Sequence, residues 1–283
     1  MDSYEQFEAA RVLLGDTDTN ERFFDFVNWE KRNKALIEEK FPDIKIMGIG
    51  TESLVIESPV NEEQVWSLGY DRRKKYGVLP FAENYNIHRI LQVLYPDDFA
   101  KVFQITGVGL KSSTKEKVEG GELTESEIVT AINRSNIIEE ELYKAGVDIT
   151  IDSAASNYRK AKERVVNIDY VDGYAGSIKN VDLEKVLQIF ERNTKELDTK
   201  TKDRQRRILL SCISRLHELW TTNILFQEMV EGGKYTIDEN RIAEQLRGKG
   251  DERSVFRIKV LLEKATDAVL TKGYKYDKRW LDL

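Results

Sequence analysis

The spacing of apolar residues changes period along this chain, and each change marks a different kind of element. Between residues 3 and 14, Phe7, Ala10, Val12, Leu13 and Leu14 are the apolar members of an amphipathic helix. Asp16-Thr17-Asp18-Thr19-Asn20 is a polar break rich in capping side chains. A second helix is predicted over about 21–40, with Phe23, Phe24, Phe26, Val27, Ala35, Leu36 and Ile37 on its buried side and Pro42 closing it. The pattern then shortens. Residues 44–47, 54–57 and 65–68 are β-rich runs in hairpin connection, separated by a glycine-containing segment and by the turn Asn61-Glu62-Glu63. Tyr85, Ile87, Ile90, Leu91 and Leu94 return to helical spacing over about 82–94, before Pro96. Two further strands are predicted at 101–105 and 108–111.

Thr124-Glu125-Ser126-Glu127 has the form of a capping box and opens a helix to about 145, where Gly146 stops it. Short strands at 147–151 and 165–168 flank a polar loop, and helices follow at about 182–197, 203–231, 238–247 and 251–272. Helices, then a strand-rich stretch from 44 to 111, then a helix-rich remainder define an α+β chain.

At 283 residues the chain has room for two lobes sharing a core or for two small domains. A net charge of −6 argues against a general affinity for nucleic acid or an anionic membrane. The basic runs Arg72-Arg73-Lys74-Lys75 and Lys202 to Arg207 read as solvated faces. One cysteine, Cys212, excludes an internal disulfide and a cysteine-rich zinc site. It reads as a small buried residue, because neither His88 nor His217 is spaced to activate it. No apolar stretch reaches membrane-spanning length, and the N-terminus lacks the basic start and apolar core of a secretion signal, so a cytoplasmic location is expected.

Four segments carry candidate chemistry. Gly48-Ile49-Gly50-Thr51-Glu52-Ser53-Leu54-Val55 is a hairpin whose small residues let backbone N–H groups approach a phosphate, or simply a turn. Glu116-Lys117-Val118-Glu119-Gly120-Gly121-Glu122-Leu123 runs from a strand through a glycine turn to a helix, where Glu122 favours the helix dipole. Asp152-Ser153-Ala154-Ala155-Ser156-Asn157 sets an acid and an amide in one loop. Asp169 follows the apolar strand Val165 to Ile168, where it suits a hard cation or a turn, with Asp172-Gly173 as the alternative register.

Taken in this order, residues 44–172 resemble the protein-kinase-like superfamily. The resemblance implies a two-lobe fold: an N-terminal helical extension over 1–41 that packs on the small lobe, a small antiparallel-sheet lobe over 42–118 and a helical lobe over 119–283. It implies ATP and Mg²⁺ as cofactors and a hydroxyl-bearing acceptor, protein or small molecule. Gly48, Gly50, Ser53 and Val55 would cover the phosphates, and Glu83 would be the acid that pairs with a strand lysine. Glu116 and Val118 would meet the adenine edge and Glu122 a ribose hydroxyl. Asp152 would be the catalytic acid-base group, with Asn157 and Asp169 holding the metal.

The chain departs from the family's pattern in three places. The third strand, Val65 to Tyr70, has no lysine, leaving Arg72, Arg73, Lys74 or Lys75 to swing in. Ile149-Thr150-Ile151 stands where a His-Arg pair usually precedes the aspartate, and no activation segment follows. These departures point towards the small-molecule phosphotransferase branch. They also fit a pseudokinase, acting as a nucleotide-binding or scaffolding module. An unrelated α+β interaction protein is the third reading.

Overall fold

The computed structural model describes residues 3–15, 25–50, 53–69, 83–106, 112–118, 120–161, 164–168, 181–246 and 251–271. The chain divides into two compact units, one formed by Met1–Gly77 with Lys101–Lys117, the other by Val78–Ala100 with Val118–Leu283. The α+β class holds, with antiparallel strands and long helices.

The first unit contains helices α1 (Ser3–Gly15) and α2 (Phe26–Lys40) and strands β1 (Ile46–Ile49), β2 (Ser53–Glu57), β3 (Gln64–Gly69), β4 (Val102–Thr106) and β5 (Ser112–Glu116). The strands form one antiparallel sheet in the order β1-β2-β3-β5-β4. Leu54 pairs with Leu68 and Ile56 with Trp66, so every second residue of β2 faces the same side. That side is covered by helix. Phe7, Ala10 and Leu14 of α1, and Trp29 and Ile37 of α2, share one buried cluster with Ile44, Ile49, Leu54 and Ile56. Phe7 lies against Trp66 with ring centroids 5.9 Å apart. Asn33, buried between Trp29 and Ile37, donates its amide to the Trp29 carbonyl at 2.8 Å, which satisfies it within its own helix. Helices α1 and α2 thus supply five of the nine buried residues of this cluster.

The second unit contains α3 (Glu83–Leu94), α4 (Glu125–Lys144), the hairpin β6 (Tyr158–Ala161) and β7 (Arg164–Asn167), then α5 (Leu183–Asn193), α6 (Thr199–Gly232), α7 (Glu239–Leu246) and α8 (Glu252–Leu270). Helix α3 falls in this unit, although the boundaries read from the sequence place it with the small lobe. Its residues Ile87, Ile90, Leu91 and Leu94 are fully buried, packed against α6 and α5. The C-terminal half of α6 joins α7 and α8 in a second cluster built on Phe226, Ile242, Ile258 and Leu262. Capping chemistry sets the boundaries. Thr124 and Glu127 form the expected reciprocal capping box, and Asp182, Asp198 and Asp251 each accept an N–H of the following first turn. Asp198 caps α6 at Thr199, four residues before the start predicted from the sequence. Gly146 ends the α4 region with φ 74°, a left-handed turn that a side chain would strain.

The structure departs from local expectation at 147–151 and adds two strands that the apolar pattern does not announce. Residues 147–151 alternate buried and exposed as a strand would, yet they form no ladder. The Ile151 N–H instead donates to the Glu139 carboxylate, so a side chain of α4 takes the place of a neighbouring strand. The last strand of the five-stranded sheet is the polar Ser112–Glu116, while 107–111 lie outside the described residues. β6 was not predicted, because Tyr-Arg-Lys-Ala carries no apolar run and owes its extension to pairing with β7. Cys212 is buried as expected, and burial pushes its thiol up to about 11. Among the described residues no helix is long and apolar enough to cross a membrane.

Candidate functional site

The loop that carries Asp152 is built by what surrounds it. Upstream, Val147, Ile149 and Ile151 are buried on one side of an extended segment. Downstream, a single 3₁₀ turn over Ala155–Asn157 leads into β6. Inside the loop the Asp152 carboxylate accepts the Ala154 N–H at 3.0 Å, an Asx turn that needs a short acid or amide at this position. Ser153 donates its hydroxyl to the Ile151 carbonyl at 3.2 Å, and the Asn157 N–H reaches the Ala154 carbonyl at 2.9 Å.

The β6–β7 hairpin folds the chain back onto this loop. Tyr158 pairs with Asn167, and the next residue, Ile168, donates its N–H to the Asn157 carbonyl at 2.8 Å. The Asn167 side chain donates to the Asp152 carbonyl at 2.8 Å, and the Asn157 amide approaches the same carbonyl at 3.5 Å. With its nitrogen turned to Asp152, the Asn157 amide directs its oxygen from the opposite edge. Asp152 and Asn157 are therefore adjacent, both half-buried. Asp169 and the alternative Asp172 lie outside the described residues, and Ile168 is the neighbour of Asp169 in sequence. Among the described residues no group of three or more His, Cys, Asp or Glu side chains is placed to hold a metal.

The hairpin is anchored on α4. The Tyr158 and Ser135 hydroxyls are buried 2.8 Å apart, and Lys160 donates to Glu127 at 2.8 Å. The bond from Lys160, with those from Thr124, holds the Glu127 carboxyl down to about 2. Near this anchor is a 310 Å³ pocket lined by Asp98, Thr130, Arg134 and Tyr158 among others. Two of its charges pair within the lining, where Arg134 bonds Asp98 at 3.0 and 3.1 Å, and the third, Glu127, is held by Lys160.

Of the two glycines in the 116–123 segment, Gly120 has a steric reason. A Cβ on Gly120 would stand 2.7 Å from the carbonyl oxygen of Lys160, which is backbone and cannot turn aside. A Cβ on Gly121 would meet open space. Gly120→Ala is expected to destabilise the hairpin region by about 1–3 kcal/mol, whereas Gly121→Ala changes stability by less than about 1 kcal/mol. Urea unfolding of the two variants checks this, and equal midpoints would remove the close approach as the explanation.

The remaining sequence-predicted residues fall as follows. Gly48 lies in β1 opposite Val55, which is half-buried; Gly50 follows β1, and Ser53 pairs with Gly69. The hairpin tip at 51–52 lies outside the described residues. Strand β3, Gln64–Gly69, contains no lysine, and the basic run 72–75 is outside the described residues. Glu83 opens α3, with its side chain outside the described part. At the end of β5, Glu116 donates its N–H to the Lys101 carbonyl at 2.7 Å and accepts the Lys101 N–H on its carboxylate at 2.9 Å, so this amide is engaged within the sheet. Lys117 and Lys45 pair with Glu57 at 2.5 and 2.9 Å and lower its pKa. Val118 is half-buried. Glu122 is exposed and precedes the Thr124 cap rather than sitting in the first turn of α4.

Asn167 and Glu139 hold the loop and were missed as site residues. The available signal was an amide in the apolar run Val165-Val166-Asn167-Ile168, since a buried amide requires a partner. No protein-family model matches the chain, and no curated protein matches it significantly.

Proposed function

We propose that the chain is an ATP- and Mg²⁺-dependent phosphotransferase of the two-lobe protein-kinase-like fold, acting in the cytoplasm on a hydroxyl-bearing acceptor. The observation that carries this reading is the bond from Ile168 N–H to the Asn157 carbonyl, which brings the residue before Asp169 against the Asp152–Asn157 loop. Asp152, Asn157 and Asp169 are then candidates for one centre. The sheet order β1-β2-β3-β5-β4, with a glycine-containing β1–β2 hairpin, supports the same reading of the first unit.

The donor chemistry fits a hard divalent ion, since the loop offers the Asn157 amide oxygen and the chain supplies a carboxylate at Asp169. Bound Mg²⁺ would neutralise charge on the phosphate oxygens. Asp152 would orient the acceptor hydroxyl and take its proton as the new oxygen–phosphorus bond forms and the bond to the departing ADP oxygen breaks. A pseudokinase is the second reading, favoured by the absence of a lysine from β3.

Thermal and urea stability with ATP, Mg²⁺ and both together tests the proposal. At a hundred times its dissociation constant, the nucleotide is expected to add about 2.7 kcal/mol. Asp152→Ala is expected to keep that gain and to slow ATP turnover by about 10²–10⁴-fold. Stability unmoved by any combination rejects both nucleotide readings. A gain without turnover in the unmutated chain selects the pseudokinase.

A further inference from the structure

We infer that Asn167 is a positioning residue that sets the Asp152 loop against the strand leading to Asp169. This inference rests on the phosphotransferase reading and names the device that holds its centre. The loop has no ladder to fix it, because residues 147–151 pair with no strand among the described residues. Two side chains from outside the loop grip it instead. Glu139 of α4 accepts the Ile151 N–H, and Asn167 of β7 donates to the Asp152 carbonyl at 2.8 Å.

Asn167 is suited to this by how its own peptide is held. Its N–H donates to the Asp98 carbonyl and its carbonyl accepts the Ala100 N–H, both at 3.0 Å, with Phe99 bridged beside it. The residue is fully buried. Its backbone is thus fixed by 98–100, and its side chain spans to the loop. One residue later, the Ile168 N–H closes on the Asn157 carbonyl. Loop and strand become one hydrogen-bonded piece, so Asp152, Asn157 and the residue before Asp169 keep their spacing. The Asp152 carbonyl is part-buried and its other side-chain donor, the Asn157 amide, stands off at 3.5 Å, so a side chain of similar size without a donor at 167 removes its short bond.

The variant is Asn167→Leu, compared with the unmutated chain by hydrogen exchange without nucleotide, and by ATP affinity with and without Mg²⁺. In N167L, amides in 152–157 are expected to exchange about tenfold faster or more while those of α6 and α8 keep their rates. The gain in ATP affinity on adding Mg²⁺ is expected to shrink about tenfold, with affinity for metal-free ATP nearly unchanged. Unchanged exchange in a folded N167L overturns the inference. Should N167L not fold, the unmutated chain decides. Amides of 152–157 and of β6–β7 are then expected to share one opening free energy, and a loop exchanging freely beside a protected hairpin overturns it. If the unmutated chain shows no nucleotide binding, the phosphotransferase reading fails while the exchange result still judges the tie.

Discussion

Trp29→Ala is expected to lower the stability of the sheet-bearing unit by about 3–5 kcal/mol, enough to unfold a marginal domain. Trp29 has 0 % exposure and stands in the cluster where α1 and α2 meet β1 and β2. Truncation removes the largest side chain of that cluster and leaves a cavity that Phe7, Leu14, Ile37 and Leu54 cannot close without moving helices off the sheet. The Asn33 bond survives, since it is made to the Trp29 carbonyl. Val27, two residues earlier and 74 % exposed, is the control, and V27A changes stability by less than about 0.5 kcal/mol. Hydrogen exchange at the β1–β3 amides reads the unit directly. A loss below about 1 kcal/mol for W29A would show that the helices are an ornament on the sheet.

Glu218→Ala should cost about 3 kcal/mol, because it strands a charge that α6 and α8 share. Glu218 is 2 % exposed and accepts from Arg257 Nε at 2.8 Å, from the second Arg257 nitrogen, from Ser254 Oγ at 2.9 Å and from Arg215 at 3.1 Å. These bonds raise the Arg257 pKa. Removing the carboxylate leaves the guanidinium without its directly bonded counter-charge, with only Ser254 Oγ at 3.1 Å and the field of Asp251 in its place. Ser254 keeps a partner in Asp251 at 3.0 Å, so the cost falls on the arginine. Arg257 reaches water over 30 % of its side chain, which sets the estimate at the low end of the range for buried pairs. The double variant Glu218→Leu with Arg257→Met removes both charges and is expected to recover most of the loss. Urea midpoints of the single and double variants form the check. A double variant as unstable as E218A would mean that packing, not stranded charge, sets the cost.

Both variants probe features that differ in how far they can be read from the chain. The helical spacing of Phe7, Ala10 and Leu14 announces an apolar face, but nothing in residues 1–41 says that the face belongs to β2. Glu218 lies inside a helix rich in charge, where a solvated position is the ordinary expectation; its burial comes from Arg257, far along the chain. At the candidate site, Asp152 and Asn157 stand out as an acid and an amide in one polar loop. Asn167 does not, because in sequence it is one polar residue in an apolar run. Gly120 was legible as a turn, yet its reason is the Lys160 backbone, a contact between segments forty residues apart.

Local chemistry is sufficient wherever a few neighbouring residues settle the outcome. The α+β class, most of the helices, the Thr124–Glu127 capping box and the stop at Gly146 follow from period, caps and backbone freedom, which act within one or two turns of chain. Strand pairing is different. The polar strands β5 and β6 are ordered by the ladders they join, and 147–151 lacks a ladder although its alternation asks for one. The same holds for the grip of Asn167 on Asp152 and for the covering of the sheet by α1 and α2. Each joins segments that meet after the chain has closed a long loop, and the free energy that selects the partner is that of the contact, which no local stretch contains.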